Sequence, residues 1–298
     1  MYGNRDSSKR IIAPTKRGIF VALIRHLCEN DFMSEIVFLK LGGSLITDKT
    51  VPFTPRKEKI TEISREIASI RRSHPELSLV LGHGSGSFGH TPAKQHGTRQ
   101  GVKTPEQWSG FAEVWYQASA LNRYVMDSLA ATGVPSVAFA PVAAILADDG
   151  EVKQWDLRPI RLALKQGILP VVYGDVVFDE ERGGTILSTE DLFGYMAGEL
   201  RPIRILLAGI EEGVWADFPA RKEIVRKITP VSFIGIQQQV GGGMGTDVTG
   251  GMDSKVRQML SLVQSVPGLS VRIFSGEKPG NLTSLFEGKN IGTEIAVI

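Results

Sequence analysis

The sequence of 298 residues has one cysteine, Cys28, almost no net charge and no long apolar run. A single cysteine excludes an intrachain disulfide, so we expect a reducing, cytoplasmic compartment. A helix that crosses a membrane needs about 20 apolar residues, whereas the apolar run near the N-terminus covers only residues 19–24. We therefore expect no membrane anchor.

The small net charge, +2, comes from residues 1–35, which contain six Lys/Arg and four Asp/Glu. The remaining 263 residues carry 28 of each sign. A neutral body without an interleaved basic and aromatic stretch predicts no nucleic-acid partner. Any bound phosphate must be held by local clusters of residues.

Residues 1–34 show no clear hydrophobic period, and we predict a disordered N-terminal extension there, with a short helical arm as the alternative. In residues 35–298, apolar segments typical of buried strands alternate with helical segments. The predicted strands are residues 36–41, 78–82, 136–140, 168–178, 204–209, 271–276 and 292–298, with a hairpin-like turn at residues 180–184. The predicted helices are residues 54–72, 104–131, 156–166, 189–200 and 253–265, and a capping box of Thr104 and Gln107 begins the second of them. This alternation predicts one α/β domain with a mostly parallel sheet and ligands at the carboxyl ends of its strands.

A glycine pair, Gly42 and Gly43, ends the first predicted strand and precedes Ser44. Glycines let backbone N–H groups approach phosphate oxygens, and Lys40 and Lys49 can neutralise charge on a transferring phosphoryl group. The segment is not a P-loop, since G-x-x-x-x-G-K-[ST] is absent. An ordinary turn with surface lysines is the alternative.

A second glycine-rich segment, residues 82–90, follows the second predicted strand and ends at His90. Its four glycines favour an anion-binding concavity, in which His90 can donate a hydrogen bond to a phosphate oxygen. The alternative is a flexible loop with incidental histidines, and His83 fits a packing or capping role better.

A third glycine-rich segment, residues 241–251, leads into a predicted helix that carries Lys255. The N-terminus of a helix favours anions, and Lys255 can reach nucleotide phosphates from there. The alternative is a disordered loop with an exposed lysine.

Carboxylates form a fourth group, with Asp175 at a predicted strand end and residues 188–191 nearby in sequence. These carboxylates can position a lysine, a Mg²⁺ ion or a substrate. For residues 188–191, a plain helix N-cap fits equally well.

Together these four segments resemble the amino-acid kinase family, whose motifs they follow in order over residues 35–298. The resemblance implies an αβα sandwich around a mostly parallel central sheet, the amino-acid kinase fold. It also implies an acceptor site in the N-terminal part, an ATP site in the C-terminal part, Mg²⁺ with the ATP, and a homodimer.

Within this family, Gly-Ser-Phe-Gly-His at 86–90 is similar to isopentenyl phosphate kinases, because relatives that phosphorylate carboxylates or carbamate lack a histidine there. The resemblance implies that His90 holds the phosphate of an isopentenyl phosphate acceptor. It implies catalytic roles for Lys40, Lys49, His90 and Lys255, ATP contacts for Lys40, Gly42, Gly43, Ser44, Gly86, Glu212, Gly250 and Lys255, and acceptor contacts for Ser85, Gly86, Gly89, His90, Asp175 and Thr189.

The chain departs from the family pattern at two places. Thr189-Glu190 stands where Gly-Asp is usual, and Glu212 stands near a position where many members carry Asp before Gly-Val.

Four residues of the helix after the second glycine segment share one helical face: Phe111, Val114, Trp115 and Ala118. Such a face more often packs in the core or forms a dimer interface, but its place after His90 also suits the floor of a pocket for a five-carbon tail.

Two other functions fit the same motifs. A kinase for a small phosphonate such as fosfomycin would also use His90. The second function is that of a regulatory nucleotide-binding module without catalysis. Retention of the lysines, His90 and Asp175 together argues against it.

Overall fold

The protein is described by a computed structural model over residues 35–240 and 251–298. The strands are β1 Ile36–Leu41, β2 Ser78–His83, β3 Ser136–Ala138, β4 Ile145–Asp148, β5 Glu151–Trp155, β6 Leu169–Tyr173, β7 Asp175–Asp179, β8 Gly183–Leu187, β9 Arg204–Gly209, β10 Val214–Trp215, β11 Ile224–Val225, β12 Lys227–Ile228, β13 Ser270–Ser275 and β14 Thr293–Ile295. The helices are α1 Gly43–Ile46, α2 Lys57–Ser73, α3 Gly86–His96, α4 Pro105–Ala131, α5 Pro141–Ala144, α6 Arg158–Lys165, α7 Thr189–Leu200, α8 Pro230–Val240, α9 Gly251–Ser265 and α10 Asn281–Phe286.

The central sheet has eight strands in the order β12-β14-β13-β9-β1-β2-β6-β3. The six strands from β13 to β3 are parallel, while β14 runs antiparallel to β13. These six strands are short and almost wholly apolar, as expected for a parallel sheet covered on both faces. The predicted α/β sandwich with a mostly parallel sheet is confirmed.

Apolar side chains fill both sides of this sheet. On one side α7 packs against β1, with the rings of Phe193 and Phe38 4.9 Å apart. On the other side Ile63 of α2 and Leu121 of α4 join a second core cluster. No helix in the described residues is both long and apolar enough to cross a membrane.

The single strand predicted for residues 168–178 is wrong, because the chain divides at Gly174. β6 ends in the main sheet, where Gly174 N donates to His83 O at 3.1 Å. β7 then enters a separate four-stranded sheet of order β5-β4-β7-β8. The predicted turn near residues 180–184 does join two antiparallel strands, β7 and β8. The strands β4 and β5 were not predicted.

Two further boundaries differ from the predictions. The loop expected after the second strand is instead the start of α3, which begins at Gly86. The first long helix begins at Lys57 rather than at Thr54, because Pro55 pairs with Thr47 in an isolated β-bridge. The capping box predicted at Thr104 and Gln107 is present at the start of α4.

Candidate active site

Two glycine segments meet at the carboxyl ends of β1 and β2, which are neighbours in the sheet. A Cβ atom on Gly43 would lie 2.5 Å from both N and Cα of Gly86. Gly84 N also donates to Leu41 O at 2.9 Å, which fixes one segment against the other. The predicted glycines are therefore needed because two backbones come into direct contact.

The second glycine segment forms the N-terminus of α3. Gly86 has φ +50°, and a Cβ there would lie 2.2 Å from Thr47 Oγ1. The same Oγ1 accepts a hydrogen bond from Ser87 N at 3.0 Å. A Cβ on Gly89 would lie 2.2 Å from Ser85 Oγ. His90 follows within the second turn, half-buried, on a helix whose N-terminus favours anions.

A buried ion pair lies at this edge of the sheet, between Lys40 of β1 and Glu190 of α7. Burial raises the pKa of Glu190, but the charges of Lys40 and Lys255 outweigh it and lower that pKa to about 2. Burial lowers the pKa of Lys40, and the Glu190 carboxylate opposes this shift. We conclude that Glu190 is ionised and holds the Lys40 ammonium in place.

Lys255 of α9 belongs to the same cluster. Its charge acts on both Lys40 and Glu190, and lowers the pKa of each. One turn further along α9, Gln258 Nε2 donates to Asp191 Oδ1 at 2.9 Å. The structure therefore brings together two of the predicted catalytic lysines, from opposite halves of the chain.

Asp191 caps α7 and connects three segments. Its Oδ2 accepts from Ser188 N at 2.8 Å and completes a capping box with that serine. Arg99, in the turn after α3, lies 3.6 Å from the same oxygen. The N-cap interpretation of residues 188–191 is thus right, and so is the expectation that a carboxylate there, Glu190, positions a lysine.

Asp175 is almost wholly buried at the start of β7. Its Oδ1 accepts from Val176 N at 2.8 Å, whereas Oδ2 has no hydrogen-bond partner among the described residues. Burial raises the pKa of Asp175 well above its ordinary value. Burial, with the Asp175 charge as a second cause, also raises the pKa of Tyr173 to about 12.

His83 packs in the core, as expected of it. Its ring stacks on Tyr173 with centroids 5.4 Å apart, and Nε2 lies 3.1 Å from Asn122 Oδ1. Burial lowers its pKa. Thr189, a predicted acceptor contact, is also buried, and its hydroxyl donates to His83 O at 2.7 Å.

The remaining predicted site residues lie in different surroundings. Ser44 is partly exposed in α1, while Lys49 is exposed in the loop after it. Glu212 is exposed too, and its neighbour Glu211 accepts from Trp215 Nε1 at 2.7 Å. Gly250 and the rest of residues 241–250 lie outside the described residues. The roles predicted for these residues stay predictions.

The predicted apolar face of α4 is mostly buried. Phe111 and Val114 form a small cluster with Ala93, Val102 and Val176. This cluster lies between α3, which carries His90, and β7, which begins at Asp175. Trp115, in contrast, is 42% exposed and does not share the buried face.

Sequence reasoning missed two side chains of the cluster, Arg99 and Gln258. Gln258 lies three residues after Lys255, so a helical face shared with that lysine was the available signal. Arg99 had no comparable signal, because its approach to Asp191 depends on how the turn after α3 packs against β8, where Thr185 Oγ1 donates to Arg99 O at 3.0 Å.

The model of the amino acid kinase family matches residues 35–275. The chain belongs to the amino acid kinase family. Isopentenyl phosphate kinase of Methanothermobacter thermautotrophicus is 33% identical over 269 residues, which cover 87% of this chain and 98% of that enzyme. Isopentenyl phosphate kinase of Methanocaldococcus jannaschii is 30% identical, with 87% and 98% covered.

A solved structure agrees with this membership in the amino acid kinase family. An X-ray structure of isopentenyl phosphate kinase superposes with a TM-score of 0.73 and 29% identity, and covers 88% of this chain and 100% of its own. The predicted resemblance to isopentenyl phosphate kinases is thereby confirmed.

Proposed function

We propose that this kinase transfers the γ-phosphate of ATP to isopentenyl phosphate and releases isopentenyl diphosphate and ADP. The position of His90 carries the proposal: it lies near the N-terminus of α3, next to the contact between the two glycine segments. There its ring can hold an acceptor that is itself a phosphate. The similarity to isopentenyl phosphate kinases supports this acceptor.

The transfer needs no general base, because an acceptor phosphate oxygen is already ionised at neutral pH. This oxygen attacks the γ-phosphorus, the new P–O bond forms, and the bond to the β–γ bridging oxygen breaks with its electron pair leaving on ADP. Lys40, held by Glu190, and Lys255 neutralise charge on the transferring group. Catalysis then consists of positioning and charge neutralisation.

Mg²⁺ is expected with the ATP, where it neutralises phosphate charge. Among the described residues, no group of three His, Cys, Asp or Glu side chains can hold a metal ion. The residues described therefore do not fit a metal ion held by the protein alone, and we assign no step to it.

The apolar cluster of Phe111, Val114, Ala93, Val102 and Val176 supports an acceptor with a short apolar tail. It lies beside α3 and β7, so a phosphate at His90 would direct its tail toward these side chains. The fosfomycin alternative gives this cluster no role.

We also propose a homodimer, placed in the reducing cytoplasm that suits a chain with one cysteine. Trp115 and Tyr116 of α4 are 42% and 64% exposed, and large apolar side chains of this kind favour a partner surface.

A coupled ADP-release assay tests the function, with isopentenyl phosphate, dimethylallyl phosphate, fosfomycin, acetylglutamate and UMP as acceptors. We expect kcat/KM to be highest for the two five-carbon monophosphates. A preference for fosfomycin would overturn the acceptor but keep the ATP site. ATP binding without turnover of any acceptor would favour the regulatory module.

A further inference from the structure

A cavity of about 220 Å³ opens at the edge of the central sheet opposite the glycine segments. Arg204 and Ser270, the first residues of the parallel strands β9 and β13, lie in its wall. The candidate active site lies at the other ends of these strands, where Gly42 N donates to Ala208 O. A six-residue strand spans about 17 Å between its end residues, so the cavity is separate from that site.

The wall of the cavity is positively charged. It contains three cations, Arg204, Arg272 and Lys289, and one carboxylate, that of Glu294. Glu294 lies 3.3 Å from Arg272, and Lys289 lies 3.1 Å from Glu287. In the described part of the chain, Arg204 is paired with no carboxylate and instead lies over the ring of Phe286, 5.5 Å from its centroid. Such a wall attracts an anion.

The guanidinium of Arg272 is fixed before any ligand binds. It donates to Asn290 Oδ1 at 2.6 Å and to Ile291 O at 3.1 Å, in addition to its contact with Glu294. A group that is already fixed loses little entropy on binding. Guanidinium groups match the oxygens of a phosphate particularly well.

Three of the residues that line the cavity are apolar: Ile205, Leu206 and Leu285. A cavity of this size holds only a small ligand. We propose that it binds a small organic phosphate, with the phosphate at Arg204, Arg272 and Lys289 and a short apolar tail over Leu285. Nothing in the phosphoryl-transfer reaction uses these residues, so this is a second ligand site.

Amide chemical shifts of the ¹⁵N-labelled full chain test the proposal, with inorganic pyrophosphate and isopentenyl diphosphate as the two probes. We expect saturable shifts at residues 204–206 and 285–290 with both probes. Isopentenyl diphosphate should bind more tightly there, by about fourfold for each CH₂ group that it buries.

Two variants localise the binding, Arg204→Gln and Lys289→Gln. Each should weaken binding at this cavity by about tenfold, because one charge-assisted contact is lost. Arg72→Gln, which removes an exposed arginine of α2 outside the cavity, is the matched control and should bind as the wild type. Shifts confined to the glycine segments, or unchanged binding in both variants, would overturn the proposal. Equal affinity for the two probes would overturn the proposed contact with an apolar tail.

Discussion

Lys40 and Glu190 form an ion pair in which each side chain is only 11% exposed. The pair joins the end of β1 to the start of α7, and so places an ammonium group beside the contact between the two glycine segments. A lysine in this place is useful for phosphoryl transfer only if its position is fixed, and Glu190 fixes it.

Removal of the carboxylate by Glu190→Gln should therefore affect both stability and turnover. Breaking a buried pair leaves an unpaired charge and costs about 3 kcal/mol in the free energy of unfolding. We expect kcat to fall by about tenfold to a hundredfold, with a smaller change in KM for ATP. Denaturant unfolding and steady-state kinetics give the two values.

The double variant Lys40→Met, Glu190→Gln is the control for this change. Because no charge remains unpaired in it, its loss of stability should be smaller than the sum of the two single losses. Additive losses would show that the two side chains do not interact.

The same pair predicts how stability depends on pH. The pKa of Glu190 falls from an ordinary 4.5 to about 2 on folding. A carboxyl of this kind stabilises the folded state above the unfolded pKa, and this stabilisation is lost as the pH falls through the folded pKa. The difference in unfolding free energy between wild type and Glu190→Gln should shrink from about pH 6 to about pH 3. A constant difference would contradict the ion pair.

Asp175 should behave in the opposite way, because burial raises its pKa well above the ordinary 3.8. An acid whose pKa rises on folding favours the folded state at low pH, and this contribution is lost as the pH rises through the folded pKa. Asp175→Asn should therefore stabilise the protein more at about pH 8 than at about pH 4. Thermal unfolding across this range measures the effect. Asp179→Asn is a useful comparison, because burial acts to raise the pKa of Asp179 but backbone N–H donors outweigh it and lower that pKa.

The glycine contact makes a third kind of prediction. Gly43→Ala would place a Cβ 2.5 Å from the backbone of Gly86, so one segment must move. We expect turnover to fall by about tenfold or more, because in the proposed reaction both segments border the transferring phosphate.

Gly194→Ala is the matched control for Gly43→Ala. Gly194 lies within α7, and its Cβ would meet nothing within 4 Å. It should stabilise the protein by up to about 1 kcal/mol and leave kcat unchanged. Equal kcat values for the two variants would show that the close backbone contact at Gly43 does not matter for turnover.

The sequence predicted the fold well where one physical signal dominated. The apolar strands β1, β2 and β9, and the capping box at Thr104, were found from residue pattern alone. The division at Gly174 was not found, since an apolar run looks the same whether it stays in one sheet or enters another.

The site was only partly predictable for a similar reason. Glycines, lysines and His90 stand out because their chemistry is unusual at strand ends. The partners of these residues do not stand out, because Gln258 and Arg99 lie far apart in the sequence and meet at Asp191 only in the folded chain. Either carboxylate, at 190 or at 191, could be expected to pair with Lys40 from the sequence. The choice between them depends on where the α7 helix begins.

In the proposed function, His90 and the Lys40–Glu190 pair serve transfer to a phosphate acceptor. The most direct measurement follows the ³¹P spectrum of ATP and isopentenyl phosphate during turnover by the wild type and by His90→Ala. We expect the wild type to produce the coupled pair of resonances of a new diphosphate, with a much lower rate in the variant. Formation of inorganic phosphate without a new diphosphate, or equal rates in the two proteins, would contradict the account.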